Sequence, residues 1–286
     1  MVRLVFLLFI GISAASTASI FIKLCDAPAL IISVYRMVFA SLILTPFAFR
    51  QQIWKGWSWS EGRWLILPGI FLSLHFAFWI ASLQYTSVAS SVVLVSTHPI
   101  FVGIGSSIFL KEPLGIRLIA GMILSIFGSA LISFGDLSLA KEAWIGDGLA
   151  LLGAITVSGY FLIGRKMRKG QDLLSYIFPV YSTSALVLIL LALLWQNPFF
   201  GYNPSTYFLF LLLALIPQLI GHTTFNWALK YIPASMVAIT ILGEPVGATI
   251  LAYFILGEGL TLWKGLGGIL IFVGILIALW RNKSSA

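Results

Sequence analysis

Two residues able to do chemistry stand 146 positions apart: His98 and Glu244, each immediately before a proline, Pro99 and Pro245. Imidazole and carboxyl are the groups most used to bind small polar solutes or to carry protons. Glu244 lies within "ITILGEPVGATILAYFILGEGL" (239–260), and its nearest charged neighbours, Lys230 and Glu258, are each fourteen residues away. An ionised carboxylate at the centre of a membrane helix costs about 2.5–3.5 kcal/mol. Two readings follow. Glu244 is a substrate or proton site, or it is a glutamic acid bonded to backbone that Pro245 leaves open. His98 has the same pair of readings: the second wall of a shared cavity, or a neutral packing histidine.

Further polar residues come in stripes. Gln218, His222 and Asn226 are spaced i, i+4, i+8, which places them on one helical face. His75, Trp79 and Ser82 form a similar face elsewhere. Such faces wall a cavity or make hydrogen bonds between helices. Tyr160 adds a hydroxyl to the candidate site. Arg36 sits about seven residues inside an apolar run, where it is expected to snorkel to the interface or pair with Asp26 as an anchor. Glu112 and Glu258 close two apolar runs and are expected to be structural or gating residues, together with Arg36, Pro99 and Pro245.

The elements that position these groups follow from composition. Sixty per cent of the residues are apolar, nine per cent are charged, and the mean hydropathy is +1.04. A soluble domain carries roughly a quarter of charged residues, so lipid must solvate this chain. Apolar runs of bilayer length fall at about 4–24, 29–49, 64–83, 87–110, 115–135, 146–164, 173–195, 205–229, 233–256 and 261–280. The first is read as a retained helix and not a signal peptide, because it continues past the small-residue patch. No linker separates soluble domains, so residues 1–286 are expected to form one membrane domain.

Orientation follows from lysine and arginine. With the amino terminus cytoplasmic, the inside receives Arg3, Arg50, Lys55, Arg63, Lys111, Arg117, Arg165, Lys166, Arg168, Lys169, Lys230, Arg281 and Lys283. The outside receives Lys23, Lys141 and Lys264. The imbalance predicts both termini inside and explains the net charge of +8 without nucleic acid.

A shift of 146 residues also lays "SLQYTSVASSVVLVSTHPIFVGIGSSIFLKEPL" (82–114) over "ALKYIPASMVAITILGEPVGATILAYFILGEGL" (228–260) without a gap. Tyr85 meets Tyr231, Pro99 meets Pro245, Glu112 meets Glu258, Gly121 meets Gly267 and Gly128 meets Gly274. The repeats are expected at 1–135 and 146–286. Five spans per repeat is an odd number, so the second repeat enters the membrane inverted. The fold class is thus all-α polytopic: ten transmembrane helices as two inverted five-helix repeats. The four glycines are expected to let spans 5 and 10 pack closely.

Together with "VYRMVFASLIL" in span 2, "HPIFVGIGSSIFLKEPL" in span 4 and "GEPVGATILAYFILGEGL" in span 9, this pattern resembles the drug/metabolite transporter superfamily, EamA branch. The resemblance covers essentially the whole chain. It implies a ten-helix exporter of small metabolites, independent of ATP, in a prokaryotic inner membrane. This sequence departs from strict repetition in placing His98 opposite Glu244, and in lacking in span 7 the arginine of span 2.

The expected function is a secondary transporter working by alternating access, its cavity walled by spans 3, 4, 8 and 9 with parts of 1 and 6. Trp79, Phe76 and Phe225 would contact an apolar portion of a small metabolite, and His and Glu a charged one. Amino acids or related compounds fit, with export and proton coupling as the expectation and multidrug efflux or facilitated uptake as the alternatives. No enzymatic activity is expected, since HExxH, CxxC, GxSxG and GxxxxGK[ST] are all missing. No cofactor or metal is expected. The partners are a small-molecule substrate and the bilayer, with the chain a monomer or a homodimer.

Overall fold

A computed structural model describes residues 2–55, 59–85, 88–134, 143–257 and 259–280. Glu258 therefore lies outside the described residues.

Helices account for every span. Four are unbroken in the first half: α1 (Val2–Leu24), α2 (Ala29–Gln51), α3 (Trp59–Tyr85) and α6 (Ile116–Phe134). Between α3 and α6, span 4 consists of two half-helices, α4 (Val88–Val95) and α5 (His98–Phe109). The second half repeats this plan. It has α7 (Ala143–Arg168), α8 (Leu173–Leu194), then α9 (Pro204–Leu213), a π-helical segment (Ala214–His222) and α10 (Thr223–Ala228), which together make span 8. Span 9 is again two half-helices, α11 (Ala234–Ile241) and α12 (Glu244–Leu256), and α13 (Leu262–Leu279) ends the described chain. Eight spans are individually long and apolar enough to cross a bilayer; span 4 and α6 complete the ten.

The breaks in spans 4 and 9 have one chemical cause. Proline lacks an N–H and clashes with the carbonyl four residues before it, so Pro99 and Pro245 interrupt the ladder and restart it as first-turn residues of α5 and α12. The two breaks coincide under the 146-residue shift: α4 maps onto α11, and α5 starts at His98 where α12 starts at Glu244. Span 8 departs from its mate. Pro217 lies in the π-helical segment, whereas Pro68 of span 3 is carried inside a regular helix.

Packing obeys the same symmetry. Span 2 packs on span 7 and span 5 on span 10, each with its own mate. Span 3 packs on span 6 as span 8 packs on span 1. At the 5–10 contact, Gly121 faces Gly274 and Gly128 faces Gly267, so the helices run antiparallel. A Cβ added at Gly128 or Gly274 would stand 2.6 Å from the facing glycine carbonyl oxygen. Ser125 Oγ donates to the carbonyl of Ile271, its own repeat mate, at 3.3 Å. The glycines thus sit where the pseudo-two-fold axis passes, as close packing requires.

Candidate functional site

The half-helix starts place His98 and Glu244 at one cavity of about 80 Å³ deep in the bundle. Its wall takes residues from both halves: Arg36 of α2, His75 and Trp79 of α3, Phe161 of α7, and His222 and Phe225 of span 8. At each restart a serine from the other half reaches the carbonyl. Ser158 Oγ donates to His98 O at 3.1 Å, and Ser16 Oγ donates to Glu244 O at 3.1 Å. Each hydroxyl also meets a carbonyl of its own helix, Ala154 O at 2.6 Å and Ile12 O at 2.8 Å, so these shared bonds tie the restarts to spans 6 and 1. Glu244 in the first turn of α12 also faces the favourable end of that helix dipole.

Two of the three histidines are fixed by backbone carbonyls. His75 Nδ1 donates to the Gly153 carbonyl at 2.9 Å, and the ring stacks on Trp79 at a centroid distance of 5.9 Å. His98 Nδ1 donates to the Val95 carbonyl at 3.0 Å, which is the carbonyl that Pro99 cannot serve. His222 is held edge-on by Phe76 and Phe225.

Arg36 is not where the sequence suggested. It neither snorkels nor pairs with Asp26: it is 1 % exposed, and its Nε donates to Gln218 Oε1 at 2.9 Å. Its guanidinium carbon lies 4.2 Å above the Phe76 ring. The reason is local. Span 8 offers Gln218 as an acceptor and span 3 an aromatic face, so the cation finds partners inward that an apolar interface could not supply. Arg36 and Glu244 line the same cavity and interact electrostatically.

Of the stripe Gln218, His222, Asn226, only His222 reaches the cavity. The π-helical segment changes the register, so Gln218 turns to Arg36. Asn226 Nδ2 donates to the Tyr160 hydroxyl and to the His222 carbonyl. Tyr160 and Asn226 are fully buried and line neither cavity. In the other stripe Ser82 leaves the site and bonds Ser91 at 2.6 Å.

A larger cavity of about 320 Å³ adjoins the first, sharing Ser19, Trp79, Val92, Pro245 and Ala248. It continues toward the face that carries Lys23, Gln84 and Lys264. The opposite face is bolted. Glu112 Oε1 accepts from Arg165 Nε at 2.7 Å, and its Oε2 accepts from the Ala234 N–H at 3.3 Å. Arg165 Nη1 donates to the Leu229 carbonyl at 2.6 Å. Arg168, itself buried, reaches Asn226 O at 3.1 Å and the Gln171 carbonyl. This latch ties spans 4 and 6 to the turn between spans 8 and 9. Charge counting had placed Arg165 and Arg168 simply among the cationic loop residues.

The sequence pattern of the EamA-like transporter family matches residues 2–134 and 144–280, one match on each half. The chain belongs to the EamA-like transporter family. It is an integral membrane protein. An uncharacterized transporter of Archaeoglobus fulgidus is 25% identical over 266 residues, covering 93% of this chain and 92% of the relative. Solute carrier family 35 member G1 of Mus musculus is 29% identical over 295 residues, covering 94% of this chain and 77% of that protein. A solved structure titled "Crystal structure of protein" superposes with a TM-score of 0.82 at 16% identity, covering 98% of this chain and 97% of that chain. That likeness shows the fold. Against the EamA background, the sequence did not disclose that Arg36 belongs to the cavity. Its one available signal was that span 7 lacks a matching arginine.

Proposed function

We propose that this EamA-like protein is a secondary active transporter of amino acids or related small metabolites, working by alternating access as an exporter in a prokaryotic inner membrane. The supporting observation is the central cavity, walled from both halves, open toward one face and latched at the other. With the lysine–arginine imbalance setting both termini in the cytoplasm, the open face is external and the latched face cytoplasmic. The described state is then outward-facing, the state in which an exporter releases its substrate. Exchange of the two states requires the latch to open while the mouth at Lys23 closes, which the paired half-helices permit.

Glu244 and His98, at equivalent restarts, are the groups that would exchange a proton when water reaches the cavity. Proteoliposomes loaded with L-amino acids test the reading. We expect wild type to release a loaded amino acid faster when a pH gradient, acidic outside, is imposed. Glu244→Gln is expected to remove the response to the gradient. Release equal to that of empty-vesicle controls for every solute loaded would refute transport.

A further inference from the structure

We propose that Arg36 and Glu244 form a two-ended clamp for the head group of an α-amino acid, with Arg36 taking the carboxylate and Glu244 the ammonium. This inference rests on the transport reading and names the chemistry of its substrate. Arg36 is 1 % exposed yet lines the cavity. Its Nε is committed to Gln218 and one face is covered by Phe76. Its Nη1 is buried without a hydrogen-bond partner among the described residues. Leaving a charged donor unsatisfied in the interior is costly, and a carboxylate is the group whose geometry best matches a guanidinium edge.

A second wall donor points the same way. Trp79 Nε1 is also buried without a partner among the described residues, and Trp79 lines both cavities. The same wall also supplies acceptors. Glu244 offers its carboxylate, and His75, whose Nδ1 hydrogen is committed to Gly153, keeps its other ring nitrogen as an acceptor. A wall that combines a cation, a neutral donor and a carboxylate fits a compact zwitterion. A plain amine would leave Arg36 unanswered, and a plain acid would leave Glu244 so.

The sizes agree with this division. The inner cavity of about 80 Å³ holds a head group and not a whole metabolite. The adjoining cavity of about 320 Å³, walled by Ile20, Ile32, Ile80, Leu83 and Leu256, accepts an apolar side chain.

The test uses the full chain in liposomes loaded with equal amounts of L-phenylalanine, 2-phenylethylamine and 3-phenylpropionate, plus a sugar, a purine and a quaternary amine. Release of each is followed by mass spectrometry. We expect wild type to release L-phenylalanine about 100-fold faster than either truncated analogue, the size of effect that follows from leaving one buried charge unpaired. Arg36→Gln should abolish the preference for phenylalanine over phenylethylamine, and Glu244→Gln the preference over phenylpropionate. Should Arg36→Gln fail to fold, Gln218→Ala leaves the guanidinium in place but unaimed, and should narrow the preference about tenfold. Equal release of the three aromatic compounds, or a full preference retained in Arg36→Gln, overturns the clamp. Release of the sugar, purine or quaternary amine alone overturns the clamp and leaves transport standing. Release of nothing overturns transport itself.

Discussion

The two mouths of the cavity are built from equivalent backbone and different side chains. Under the 146-residue shift, Arg165, Arg168 and Lys169 at the latched mouth correspond to Ser19, Ile22 and Lys23 at the open one. Arg165 bridges Glu112 and Leu229, whereas Ser19 lines open space shared by both cavities. Symmetric halves can present two exchanged states; which one is populated depends on where the halves differ. Here the difference is concentrated in two arginines on one side and a serine and an isoleucine on the other. A repeat permits two exchanged arrangements, and its imperfections bias the balance between them.

The largest expected effect comes from breaking the latch. Arg165→Ala leaves Glu112 with one backbone donor in a mostly buried setting. The loss lies between the about 1 kcal/mol of an exposed pair and the about 3–5 kcal/mol of a fully buried one. Each 1.4 kcal/mol is about tenfold in the ratio of states, so the open mouth should lose most of its population. Cys25, the single cysteine, lines that mouth and reports on it. Burial pushes its thiol up to about 12, so thiolate is scarce at neutral pH and alkylation should rise about tenfold per pH unit between 7 and 9. At pH 9 we expect Arg165→Ala to label more than about tenfold more slowly than wild type. Unchanged labelling would mean that the latch does not decide which mouth is open.

Next in size is the reverse graft. Ser19→Arg places the latch residue at the open mouth, in the boundary between the two cavities. It should slow both Cys25 labelling and substrate release by about tenfold, equivalent to about 1.4 kcal/mol. A substitution that slowed neither would detach the comparison from function.

Where the mouths differ, the axis repeats its glycines, and this sharpens the comparison. Gly128 and Gly274 are equivalent, and a Cβ on either meets a glycine carbonyl oxygen at 2.6 Å. Gly128→Ala and Gly274→Ala should each cost about 1–3 kcal/mol of stability through overpacking. Thermal melting should show Gly274→Ala as the costlier variant, because its Cβ also runs into Ser125 Oγ, where Gly128 has Ile271. Equal costs would show that the Ser125 hydroxyl yields freely and that the axis behaves as symmetric.

The fold was legible because its determinants are local or periodic. Each run predicted from hydropathy became a helix within a few residues, and Pro99 and Pro245 broke spans 4 and 9 where proline must. His98 and Glu244 met at one cavity because the gapless repeat already related them. The rest depended on contacts between distant spans. Nothing near Arg36 in the chain announces Gln218, 182 residues away, as its acceptor. The π-helical segment around Pro217 altered the Gln218–Asn226 stripe, because a uniform 3.6-residue period had been assumed there. Arg165 looked like any cytoplasmic cation until its position opposite Glu112 was known.

The smallest expected effect concerns the one cation that the two mouths share in kind. Lys169 corresponds to Lys23, and at the latched mouth its Nζ lies 3.9 Å from Glu112 Oε1, with the side chain 55% exposed. That distance is at the limit of an ion pair, and water screens it. Exposed pairs contribute about 0–1 kcal/mol, and this one competes with an arginine already holding the same oxygen at 2.7 Å. Lys169→Gln should therefore alter Cys25 labelling by less than about twofold at low salt, and by nothing measurable at 1 M salt, where screening is nearly complete. Arg165→Ala should keep its effect at 1 M salt, because its partners are sheltered from ions. A strong, salt-sensitive response in Lys169→Gln would reverse that assignment: the latch would then be a diffuse charge effect of its face, and the contrast between the mouths would lie in net charge and not in the one bonded arginine.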